Sequence, residues 1–90
     1  MLIRWTPSAA SDLEQISSYI EKNGSLVQAN RACRALRSAI HMLRNHPYLG
    51  KQGKRAGTRE MLEGKYVIVY RIRSDAIDVL RIWHSAQERT

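Results

Sequence analysis

The stretch Lys65-Tyr66-Val67-Ile68-Val69-Tyr70-Arg71-Ile72 constrains the fold of this chain more than any other. It is a run of β-branched and aromatic residues, the composition that strands prefer. Arg73-Ser74-Asp75-Ala76 then supplies a turn, and Ile77 to Trp83 resumes the apolar pattern. Two long strands joined by a short turn demand an antiparallel pair, and the rest of the chain must cover it. Strict alternation places Val67, Val69 and Arg71 on one face of the first strand, and Tyr66, Ile68, Tyr70 and Ile72 on the other. In the second strand it groups Ile77, Val79, Arg81 and Trp83, with Leu80, Ile82 and His84 opposite. An arginine on an apolar strand face costs desolvation unless it meets an anion or lies at a rim. Arg71 and Arg81 are therefore singled out.

The N-terminal half carries a different period. Leu2-Ile3-Arg4-Trp5 reads as a short first strand. Thr6-Pro7 follows as a helix start, with Thr6 as N-cap and Pro7 at the first helical position. Ala9, Leu13, Ile16 and Ile20 recur at spacings of three and four, which predicts a buried stripe. Asp12 and Glu14 lie early in this helix and suit its positive end. Asn23-Gly24 ends it, and Ser25 caps a second helix running to about Asn45. The stripe of that helix is Ala29, Ala32, Leu36, Ala39, Ile40 and Leu43, with Arg31, Arg34, Arg37, His41 and Arg44 on another side. Small residues let the two helices approach closely, as an antiparallel hairpin. A basic, mobile loop is expected from His46 to Gly57.

The order is thus β-α-α-β-β-β, an α+β domain over residues 1–90 in which an antiparallel sheet packs against an N-terminal helical hairpin. One hairpin covers one face of a sheet and leaves the other as a shallow open surface. A chain of 90 residues buries roughly 60–65 % of its unfolded surface, one modest core with no separate cofactor domain. No apolar run reaches the roughly 18–20 residues of a membrane span, and the start lacks a signal-peptide pattern. Cys33 is the single cysteine, which rules out an internal disulfide and suits the cytoplasm; it is expected to pack as a small apolar residue.

The net charge of +7 is unevenly distributed. No acidic residue lies between Glu21 and Glu60, an interval that holds Lys22, Arg31, Arg34, Arg37, Arg44, Lys51, Lys54, Arg55 and Arg59. A field of that sign attracts nucleic acid, an acidic protein or an anionic surface. His41 and His46 are five apart with no cysteine pair, so the sequence predicts no metal site and no cofactor. Serine-hydrolase elbows and phosphate-binding glycine loops are absent. Glu60 and Glu63 are expected to balance Arg59 and Lys65. The basic and aromatic group Arg59, Lys65, Arg71, Arg81, Trp83 and His84 remains. Arg59, Arg71, Arg81 and His84 could stabilise charge on a phosphodiester, with His84 moving a proton. The same group could grip an acidic protein segment, or serve a plain nucleic-acid-binding module. Tyr66 and Tyr70 share a face with Ile68 and Ile72, which favours core packing over base stacking.

Several motifs, in order, resemble the RelE/ParE superfamily of type II toxin–antitoxin toxins nearly end to end. They are Trp5-Thr6-Pro7-Ser8-Ala9 with Asp12-Leu13; Tyr19-Ile20; His46-Pro47-Tyr48-Leu49-Gly50; Gly57-Thr58-Arg59-Glu60; Tyr66 to Arg71; and Val79-Leu80-Arg81-Ile82-Trp83-His84. The resemblance implies a growth-inhibiting toxin with a cognate acidic antitoxin, ParD-like or other, encoded beside it and wrapping it as a hetero-oligomer. RelE-like members cleave mRNA at the ribosome and carry an arginine at the start of a strand that here reads Val67-Ile68-Val69-Tyr70. They also favour a C-terminal tyrosine, whereas this chain offers His84 and Arg89. ParE-like members resemble it better, in Tyr66 to Arg71, Gly57-Thr58-Arg59-Glu60 and the closing His84-Ser85-Ala86-Gln87. That branch implies poisoning of DNA gyrase, a role in plasmid stabilisation and no catalytic residues. The RelE-like alternative would make the chain an mRNA interferase using Arg59, Arg71, Arg81 and His84.

Overall fold

The computed structural model describes residues 1–86. Gln87 and Arg89 of the closing motif lie outside the described residues. The elements are β1 (Leu2–Trp5), α1 (Pro7–Asn23), α2 (Leu26–Met42), β2 (Lys51–Gln52), β3 (Arg59–Glu63), β4 (Tyr66–Ile72) and β5 (Ala76–His84). Thr6 accepts from the Ala9 N–H and Ser25 from the Gln28 N–H, so both helices start at the hydroxyl caps read from sequence. After Met42 the chain tightens into turns of the i→i+3 kind: Leu43 N–H donates to Ile40, and Arg44 N–H to His41. The second helix is accordingly three residues shorter than its pattern suggests.

The sheet order is β1-β5-β4-β3-β2. Strands β2 to β5 pair antiparallel, whereas β1 lies parallel to β5, so the sheet is mixed. The helical hairpin covers one face, and the core between the layers comprises Ala9, Leu13, Leu36, Ala39, Ile40, Leu43, Met61, Ile68, Tyr70, Ile77, Val79 and Ile82. Cys33 packs against its margin. Gly64 takes φ 57° at the first position of the two-residue β3–β4 turn, a conformation glycine adopts without steric cost.

The segment 46–57 is not a free loop. Lys51 and Gln52 pair with Glu60 and Arg59 as a fourth C-terminal strand. The buried Tyr70 hydroxyl donates to the Pro47 carbonyl (2.7 Å) and accepts from the Gly50 N–H (2.9 Å). Gly50 is buried against that ring, and a Cβ there would come within 2.9 Å of Tyr70 Cε1. One core phenol thus anchors the connection from α2 into the sheet, and burial pushes its pKa up.

A bulge corrects the strand faces. Val69 pairs with Arg81, yet its neighbour Tyr70 pairs with Val79, leaving Leu80 as an extra residue on β5. Alternation resets there. Ile77 and Val79 enter the core, and so does Ile82, while Arg81 and Trp83 turn to the opposite face. Arg81 therefore does not share a face with Ile77 and Val79.

Candidate functional site

The face of the sheet away from the helices is built by cross-strand rows. Leu62, Val67 and Trp83 form one row, Glu60, Val69 and Arg81 the next, and Arg71, Asp78 and Arg4 a third. A groove of about 560 Å³ runs over this face. Its lining includes Lys54, Arg55, Arg71 and Arg81, with Thr6, Thr58 and Glu60 among its other polar residues. Thr6 reaches it because β1 ends there and α1 begins.

Arg81 is held rather than loose. Its Nε and Nη2 donate to Asp12 Oδ2 and Oδ1 at 2.8 and 3.1 Å, a bidentate pair, and its guanidinium lies 4.2 Å from the centre of the Trp83 ring. Asp12 Oδ2 also accepts the Ile82 N–H at 2.9 Å. β1 pairs with β5 only as far as Val79, so the edge of β5 beyond it is bare, and Asp12 from α1 replaces the missing strand. The carboxylate raises the Arg81 pKa through this hydrogen bond. Asp12 is buried, which the helix-dipole reading of it missed. The available signal was its place inside the stripe set by Ala9, Leu13 and Ile16, where a carboxylate requires a partner.

The third row distributes its charges unevenly. Asp78 receives Arg4 Nε at 2.8 Å and Arg73 Nε at 3.0 Å, one on each oxygen. These two bonds, Arg4 first, hold its carboxyl below the usual range. Arg71 stands directly across from Asp78, yet among the described residues it has no ion-pair partner. Its Nε lies instead beside Gly57, which adopts φ 80°.

The remaining sequence candidates lie elsewhere. Arg59 shares the helix-covered face with Tyr70, donates to the Gly50 carbonyl and stacks on Tyr48, its guanidinium 4.8 Å from the ring centre. Tyr48 and Leu49 are both more than half exposed beside it. His84 is at the far end of β5 on the same side as Tyr66, whose ring it meets edge-on at 5.5 Å; its Nδ1 accepts the Ala86 N–H. Lys65 sits at the tip of the β3–β4 turn, where its carbonyl accepts the Ser85 N–H. Four residue steps along β4, about 13 Å, separate the level of Arg59 from that of His84. The structure thus gathers Arg71, Arg81 and Trp83 on the open face and places Arg59, Lys65 and His84 apart from them. Among the described residues no three histidine, cysteine or acidic side chains converge as metal ligands, and no helix is long and apolar enough to cross a membrane.

A helical hairpin on one face of a small mixed sheet, with a basic opposite face, is the arrangement that the resemblance to the RelE/ParE class of toxins implies. Residues 3–89 match the model of the ParE toxin of type II toxin–antitoxin systems, and the chain belongs to that family. It is 31 % identical over 85 residues to the toxin ParE1 of Caulobacter vibrioides, covering 92 % of this chain and 88 % of that protein. Its fold matches a chain of the chromosomal ParDE toxin–antitoxin system from P. aeruginosa with a TM-score of 0.85 at 22 % identity, over 93 % of this chain and 95 % of the other. It also matches a chain of the toxin–antitoxin complex RelBE2 from Mycobacterium tuberculosis, with a TM-score of 0.72 at 25 % identity, over 92 % and 95 %. The same scaffold therefore serves both named systems.

Proposed function

We propose that this toxin arrests growth by inhibiting DNA gyrase in the cytoplasm, and that a cognate acidic antitoxin neutralises it within a hetero-oligomer. Family membership supports the toxin and antitoxin parts of this reading. The observation that carries the choice of target is the separation of Arg59, Arg71, Arg81 and His84. Cleavage of a phosphodiester needs a proton-transfer group and charge stabilisers within hydrogen-bond reach of one reacting phosphate. Here Arg81 is committed to Asp12, and Arg59 to the Gly50 carbonyl. His84 lies with Tyr66 on the face opposite Arg71. An arrangement of this kind suits binding to a protein target better than catalysis.

Expression without the neighbouring antitoxin gene is expected to stop growth, with filamentation and a DNA-damage response. Abrupt loss of translation would instead favour ribosome-dependent mRNA cleavage. Normal growth would leave a non-toxic binding module as the reading.

A further inference from the structure

The helical layer carries a charge pattern of its own. Arg31, Arg34, Arg37 and His41 recur at spacings of three and four, which puts them on one side of α2. All four are exposed. α2 contains no acidic residue, and among the described residues none of its three arginines forms an ion pair. A groove of about 790 Å³ between the helices has Arg34 and Arg37 on one wall and Glu14 on the other. Glu14 forms no ion pair with either, so it tempers the field there without neutralising it. From Arg31 to His41 the row is about 15 Å long, the rise of about four phosphates along one strand of a duplex.

We infer that this side of α2 is a surface for the phosphate backbone of duplex DNA. The choice of DNA rests on the gyrase reading above, because a toxin bound to gyrase stands beside the duplex that the enzyme holds. Phosphates need cations and no apolar cover. The large exposed apolar residues of α2, Leu26, Val27 and Met42, lie at its two ends, and between them the exposed positions offer nothing more apolar than Ala35. A protein partner calls for an apolar centre that this stretch lacks. A single strand calls for aromatic platforms. The exposed tyrosines are elsewhere: Tyr19 lines a pocket beside β5, and Tyr48 stacks with Arg59. A row of guanidinium groups on a rigid helix suits the regular backbone of a duplex. It also belongs to the layer away from the open sheet face, so DNA on α2 leaves that face to a protein.

The test is fluorescence anisotropy of a labelled random-sequence DNA duplex, titrated with the full-length toxin at several salt concentrations. Arg31→Gln, Arg34→Gln and Arg37→Gln combined are expected to weaken binding at least about tenfold. The slope of log K against log salt should become shallower by about 2.7, at about 0.9 per phosphate contact. Lys51→Gln, Lys54→Gln and Arg55→Gln combined remove the same charge from exposed positions outside α2 and are expected to lose less than about threefold. Glu14→Gln removes no cation and should tighten binding about twofold, which reads the groove should the arginine variant prove unstable. Equal losses in the two triple variants would overturn the inference, since binding would then follow net charge alone. Tighter binding of a duplex RNA of the same length would overturn it as well. So would an arginine variant that keeps its DNA affinity and loses the antitoxin, which would assign α2 to a protein. A wild-type toxin that binds DNA through α2 yet leaves gyrase supercoiling unimpaired would refute the gyrase reading while this surface stands.

Discussion

Replacing Asp12 should destabilise the fold by an amount that the local geometry sets. The Asp12 side chain is 11 % exposed, and its carboxylate accepts three hydrogen bonds, two from the Arg81 guanidinium and one from the Ile82 backbone. Asparagine keeps an acceptor for the Ile82 N–H but turns a donor toward the guanidinium. Hydrogen bonds to charged groups contribute about 1.5–3 kcal/mol each. The Arg81 side chain is 42 % exposed, so water recovers part of the loss. Asp12→Asn is therefore expected to cost about 1.5–3 kcal/mol in all. Asp12→Ala also leaves a buried N–H unmade, a further ~1–3 kcal/mol, for a total of about 2.5–6 kcal/mol. In a domain of this size each kcal/mol moves the Tm by about 4–8 °C, which predicts falls of at least about 6 °C and about 10 °C. Thermal denaturation followed by circular dichroism reads both values, and Asp12→Asn combined with Arg81→Gln should cost less than the sum of the two. Shifts under about 2 °C in both single variants would refute the reasoning. Equal shifts in Asp12→Asn and Asp12→Ala would refute the role assigned to the Ile82 bond.

Three further outcomes are expected. Tyr70→Phe leaves the buried Gly50 N–H without its acceptor and should cost about 1–3 kcal/mol in urea unfolding, with faster hydrogen exchange at Gly50. Asp78 titrates below its unfolded value of about 3.9. Its contribution is present above that pH and is lost as pH falls through the lower folded-state value, so Asp78→Asn should flatten the acid limb of the stability curve below about pH 4. Thr6→Ala removes the α1 cap and the hydroxyl bond to the Val79 carbonyl, an expected loss of about 1–2 kcal/mol that Thr6→Ser largely restores.

The caps, both helices and the long strands were legible because each depends on local chemistry: Thr6 and Ser25 offer acceptors, and Tyr66 to Ile72 can scarcely be other than a strand. The faces of β5 were not. Alternation from Ile77 groups Arg81 with Ile77 and Val79, but the extra residue Leu80 moves it to the opposite, open face and brings Ile82 inward. Nothing local in Val79-Leu80-Arg81-Ile82 announces that bulge; it follows from pairing β5 with both β4 and β1. The parallel alignment of β1 and the two-residue β2 depend on contacts distant in sequence and were equally unreadable. The same limit affects the basic group. Arg59 and Arg71 look alike in a list of cations, yet the register places them on opposite faces. Arg81 gains a structural duty through Asp12, so Arg81→Ala perturbs stability together with any binding surface. Arg71, with no ion-pair partner among the described residues, is the cleaner probe.

The central claim, that this ParE-family toxin acts on DNA gyrase, is tested most directly with purified gyrase, relaxed plasmid and the folded toxin, with and without the antitoxin. Loss of supercoiling or accumulation of cleaved plasmid complexes, reversed by the antitoxin, is the predicted result. Unimpaired supercoiling in the presence of a folded toxin that still binds its antitoxin would contradict it.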